Sequence, residues 1–196
     1  MKYLDEQLVM LRSRQIKKKY VNSSTGMYVG EELLHFREID LPGNVIVQIP
    51  ENFSRMEPGL AQRKYPSVNR PQVILSNPRG SVSITFSIYE ILEEDTSSVA
   101  DMLDSFKRII QTAQPSAGFV GRGSQETEGC QRGWLEFKSA SLDGGIYNLL
   151  TLTRLGRCSV LGMSNCPDSE MLSWRPVLLE VGTTISEKEE KENIQL

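Results

Sequence analysis

Eight residues constrain this chain more than any others. From Ser81 to Ile88 the residues alternate without exception, with Val82, Ile84, Phe86 and Ile88 on one side and Ser81, Ser83, Thr85 and Ser87 on the other. Successive side chains of a strand point to opposite faces, so a strict period of two predicts a strand with at least one buried face. Residues 72–76 lie on the far side of Asn77-Pro78-Arg79-Gly80, a turn-forming tetrad, and the two runs read as a hairpin. Placing Ser76 opposite Ser81 puts Leu75 against Val82 and Val73 against Ile84, so apolar pairs coincide across the ladder.

A meander is expected over 124–165. The Leu142-Asp143-Gly144-Gly145 turn, read as a two-residue connection, pairs Leu135 with Leu152 and Phe137 with Leu150 on a core face. The opposite face then collects Trp134, Glu136, Lys138, Tyr147, Leu149 and Thr153. A third strand over roughly 157–165 adds Leu161 and Met163 to the core face, and Cys158 and Val160 to the other. Residues 34–41 and 45–49 read as an earlier strand pair turning at Pro42-Gly43-Asn44. Residues 51–71, with Pro58, Gly59, Pro66 and Pro71, read as a mobile surface connection.

Three helices complete the pattern. Residues 4–20 carry Leu4, Leu8 and Leu11 on one stripe and end at the Asn22–Gly26 cluster. Residues 97–113 start with Ser98 three before Asp101, the spacing of a capping box, and repeat Val99, Met102, Leu103, Phe106 and Ile110 at helical intervals. Residues 169–186 carry Met171, Trp174, Leu178, Val181 and Ile185 on a stripe, with Pro176 expected to bend the helix near its start. The expected organisation is an N-terminal helical arm over 1–33, one α+β domain over 34–186 and a polar tail over 187–196. At 196 residues, with 39% hydrophobic and 24% charged, the chain has the composition of one well-cored domain.

Charge and cysteine content narrow the function classes. A net charge of −3 argues against nucleic-acid binding by bulk electrostatics. Residues 1–20 are locally basic, yet no aromatic residues interleave the basic run from Arg12 to Lys19, and a solvated helix face is the plainer reading. The longest apolar run at the start, Leu8 to Leu11, is too short for a signal peptide, and nothing approaches a membrane span, so no membrane association is expected. Three cysteines without a CxxC pair fit a reducing compartment, and the expected location is the cytoplasm.

Catalytic chemistry finds little to work with. The lone histidine, His35, sits beside Phe36 and reads as structural or surface. One His and three widely spaced Cys make no zinc signature. Gly118, Gly121 and Gly123 follow a helix and precede a strand, the reverse of a phosphate loop, and read as a connector. Neither a catalytic residue, a metal site nor a cofactor is expected, and an enzymatic role ranks last of three. Trp134, Glu136, Lys138, Tyr147 and Leu149 instead mix aromatic, apolar and charged groups on one face, as interface hot spots do, and form the candidate partner-binding set. A helix lying over that face is the competing reading. Self-assembly as a homodimer through the N-terminal helix is the alternative function.

The segments NVIVQIPENF (44–53), SVSITFSIYE (81–90) and SNCPDSEMLSWRPVLLEVGTTI (164–185) resemble the Mog/PsbP-like superfamily, which includes the DcrB-type proteins. In that group an early strand ends in a Pro-x-x-aromatic turn, matched by Pro50 to Phe53. A final strand runs through a polar turn into a helix with an early Trp, matched by Asn165 to Trp174. The resemblance spans about 34–186. It implies an antiparallel sheet sandwiched by helices and a protein-binding adaptor or chaperone-like role without a transferable catalytic signature.

Overall fold

The computed structural model describes residues 17–91, 97–127, 129–141 and 144–188. Its backbone is seven antiparallel strands in one sheet, in the order β6-β7-β8-β12-β11-β10-β9. These are β6 (Ser54–Arg55), β7 (Val73–Ser76), β8 (Ser83–Glu90), β9 (Gly118–Thr127), β10 (Cys130–Ser141), β11 (Gly144–Leu155) and β12 (Cys158–Pro167). Two three-stranded sheets accompany it. One is β1 (Val21–Asn22), β2 (Gly26–Val29) and β3 (Glu32–Leu34); the other joins β4 (Phe36–Leu41), β5 (Val45–Pro50) and β13 (Ser186–Glu187). The helices are α1 (Pro58–Lys64), α2 (Val99–Ala113) and α3 (Met171–Thr183), the last entered through a single 3-10 turn at Asp168–Glu170.

Both hairpins exist, each with its register two residues away from the expected one. In the first, Leu75 faces Ile84 and Ser76 faces Ser83. Asn77 causes the shift: its backbone N–H donates to the Val82 carbonyl, its Oδ1 accepts from Val82 N and its Nδ2 donates to Ser81 Oγ. Asn77 thus pairs with Val82, and Pro78 to Ser81 form the turn, with Gly80 at φ +67°. In the second, Ser141 faces Gly144, so Leu135 meets Leu150 and Phe137 meets Asn148. A shift of two keeps every side chain on its expected face.

The largest departure is at the N-terminal side. The expected helix over 4–20 falls almost wholly outside the described residues, but residues 21–34 are strands rather than part of a helical arm. Met27 and Leu34 are buried in the main core, so the domain begins well before residue 34. The connection over 51–71 holds β6 and the seven-residue α1, capped by Glu57. Gly118 to Gly123 belong to strand β9, not to a connector, and the meander has four strands.

Apolar cores lie on both faces of the large sheet. Leu135, Leu150 and Leu152 pack beneath Val99 and Leu103 of α2, whose N-terminus is closed by the Ser98–Asp101 capping box. The other face is larger: Val82, Ile84, Phe86, Tyr147, Leu149 and Val160 pack against Trp174, Val177, Leu178 and Val181 of α3 and against Val45, Val47 and Ile49 of β5. The architecture is thus α+β, dominated by antiparallel sheet.

Candidate functional site: a polar cleft and a buried ion pair

The structure places the five candidate interface residues together but does not leave them open. Tyr147 and Leu149 are fully buried and Glu136 is 2% exposed, all on the face that α3 covers. The expectation of an open face is therefore corrected at these three positions, because the stripe of α3 has its complement there. Trp134 is half-buried, and Lys138 sits at the rim, 2.8 Å from Asp168.

Burying a carboxylate needs compensation, and Glu136 has it. Arg175 of α3 grips it with Nε at 2.6 Å and Nη2 at 2.8 Å, and Tyr147 Oη donates to it at 2.7 Å. Burial alone would raise its pKa, but these hydrogen bonds and the Arg175 charge outweigh burial and hold the carboxyl below its ordinary value. Burial and the Glu136 charge push the Tyr147 hydroxyl far up, so it stays a donor. Glycines 121 and 123 of β9 complete the arrangement: a Cβ at either position would overlap Glu136 or the Trp134 ring. The alternate glycines are the sequence signal of these two large neighbours. The cluster acts as a structural clamp between β10 and α3.

At the N-terminal end of α3, beside Trp174, lies a cleft of about 420 Å³. Its walls come from four separate segments: Val29 to Glu32 around the β2–β3 turn, Asn52 after β5, the Asn77–Ser81 turn, and Glu170 with Trp174. Trp174 Nε1 donates to Glu170 at 3.0 Å, and its ring meets buried Phe53 edge-on at 5.8 Å. The two motifs that carried the family resemblance, Pro50–Phe53 and Asn165–Trp174, therefore meet at this cleft. Glu31 and Glu32 add exposed carboxylates, one held by Lys17 and the other near Asn52. Sequence reading missed this site because its residues lie in short turns far apart along the chain.

Chemically the cleft offers acceptors, amides and one guanidinium, from Arg79, but no nucleophile–base pair. His35 is exposed in the link between β3 and β4. Among the described residues no group of three His, Cys, Asp or Glu is placed to hold a metal ion, and no helix is long and apolar enough to cross a membrane. All three cysteines are free thiols; burial pushes Cys166 up to about 12.

No protein-family model and no curated protein matches the chain. Solved structures do. Cyanobacterial PsbP from Synechocystis sp. PCC 6803 superposes with a TM-score of 0.60 at 12% identity, covering 83% of this chain and 98% of that one. LpqN of Mycobacterium tuberculosis, a protein involved in cell envelope biogenesis, gives 0.54 at 8% identity, covering 85% and 97%. The Ran-binding protein Mog1p of Saccharomyces cerevisiae gives 0.52 at 13% identity, covering 80% and 97%. The class is thereby defined as the Mog/PsbP-like fold. At these identities the likeness is one of fold.

Proposed function

We propose that this protein is a non-catalytic protein-binding module, an adaptor or chaperone-like protein, and that the cleft floored by Trp174 is the seat of its partner. The observation that carries this reading is the cleft itself. Four segments converge there on an aromatic floor, and Glu31, Glu32, Asn52 and Asn77 supply polar groups that can orient a peptide. The fold is shared with a Ran-binding protein, which makes protein recognition a known use of this scaffold. Three unpaired thiols suit a reducing compartment, and the cytoplasm is the location proposed. A partner with lysine or arginine at the contact fits Glu31, Glu32 and Glu170. The test is affinity capture from native lysate with the wild-type chain and with E31K/E32K, both confirmed as folded by circular dichroism. A protein captured by the wild type and lost with the variant supports the reading. Captured proteins that do not distinguish the two chains refute the cleft as the seat.

A further inference from the structure

A second cleft, of about 390 Å³, opens beside α1 at the β6–β7 edge of the large sheet, and nothing in the first reading uses it. Its floor is apolar: Met56, Ala61 and Ile74 form a small separate core with Tyr65. Its rim is cationic, with Arg55 and Arg70 both exposed. Between residues 55 and 79 the chain carries Arg55, Arg63, Lys64, Arg70 and Arg79 against Glu57 alone, in a protein of net charge −3. Glu57 also lines the cleft, but its two carboxylate oxygens accept from Gly59 N and Leu60 N at the start of α1, so its charge offsets part of the rim without pairing with either arginine. Lys64 is spent on the Gly80 carbonyl and Ser83 Oγ. Among the described residues, neither Arg55 nor Arg70 has a carboxylate partner. The sheet edge is also short of a neighbour there, since β6 pairs with β7 at Ser76 and Leu75 only.

An unpaired pair of guanidiniums over an apolar floor selects for a ligand with the opposite arrangement. We propose that this cleft seats an acidic segment of a partner protein, with an apolar side chain entering over Met56, Ala61 and Ile74 and flanking carboxylates pairing with Arg55 and Arg70. A nucleic acid would satisfy the guanidiniums but not the floor. Binding of bases needs exposed aromatic rings, and among the described residues none lines this cleft; Tyr65 packs against the small core.

The test is a random dodecapeptide phage library panned on the full chain with counter-selection on R55E/R70E. The selected sequences should be enriched in Asp and Glu flanking an aliphatic residue. The synthesised consensus peptide should lose about tenfold or more in affinity, by fluorescence anisotropy, on R55E/R70E. It should lose less on R55Q/R70Q, and nothing on R157E or on E31K/E32K. The last variant separates this seat from the first cleft. Circular dichroism of each variant confirms the fold. Selection without acidic enrichment, failure to select any sequence, or equal binding to R55E/R70E overturns the proposal. So does binding of oligo(dT), or association of the chain with itself, that the same two arginines control.

Discussion

Replacing Arg175 with Met tests the account of the buried clamp most directly. The aliphatic stem is kept, so packing along α3 changes little, while Glu136 loses two hydrogen bonds of 2.6 and 2.8 Å and retains the one from Tyr147. Charge-assisted hydrogen bonds contribute about 1.5–3 kcal/mol each. Arg175 is 41% exposed, so water at the vacated side recovers part of that. Glu136 itself is 2% exposed and stays in place as a poorly solvated charge. The expected loss at pH 7 is about 2–3 kcal/mol, or a midpoint lower by about 5–10 °C in a chain of this size.

The pH dependence makes this prediction specific. In the wild type the folded Glu136 carboxyl sits below its ordinary pKa. Its contribution is therefore fully present above the unfolded carboxyl pKa and is lost as pH falls through the folded one. Without Arg175, burial dominates and the folded pKa rises above the unfolded value, so protonation on acidification relieves the variant. Urea unfolding at pH 7 and at pH 4 should therefore show the gap between the two proteins narrowing in acid. Adding E136Q to R175M should recover part of the loss at pH 7. A loss below about 0.5 kcal/mol at pH 7, or a gap that does not change with pH, would refute the clamp.

Three further outcomes follow from the same geometry. Gly123→Ala places a methyl group into the Trp134 ring and should destabilise by about 1–3 kcal/mol in urea unfolding, with a change in tryptophan fluorescence. Leu149→Ala, at a fully buried position, should cost about 2–5 kcal/mol, as a core truncation does; unchanged stability would mean that the face beneath α3 is not core. Ellman's reagent should modify Cys130, the half-buried thiol, in the native protein and spare Cys158 and Cys166 until urea unfolds the chain; burial pushes all three thiols up, so access decides which one reacts.

Faces were legible in the sequence where registers were not. Alternation over 81–88 and across the meander assigns every side chain to the correct side, since period two is a local property of a strand. Register depends on how the loop closes, and Asn77 closes its loop with side-chain bonds that composition does not reveal. Which face is open could not be read locally either. The central strands carry Leu135, Leu150 and Leu152 on one side and Tyr147 and Leu149 on the other, so both sides are apolar enough to be core. Glu136 looks like a surface residue in the sequence because its neutralising partner, Arg175, lies 39 residues further on, on α3.

That burial moves the functional question off the sheet. A face sealed by α3 and a second face sealed in part by α2 leave the turns and the sheet edges as the places where a partner can be met. The two clefts are of that kind: one is walled by the β2–β3 and β7–β8 turns, the other by α1 and the β6–β7 edge. Turns are free of the packing constraint that holds the sheet, so their charges can change without cost to the core. A scaffold kept rigid by the Glu136 clamp can therefore present Glu31 and Glu32 at one cleft and Arg55 and Arg70 at another, and variants at each should alter recognition while leaving stability where it was.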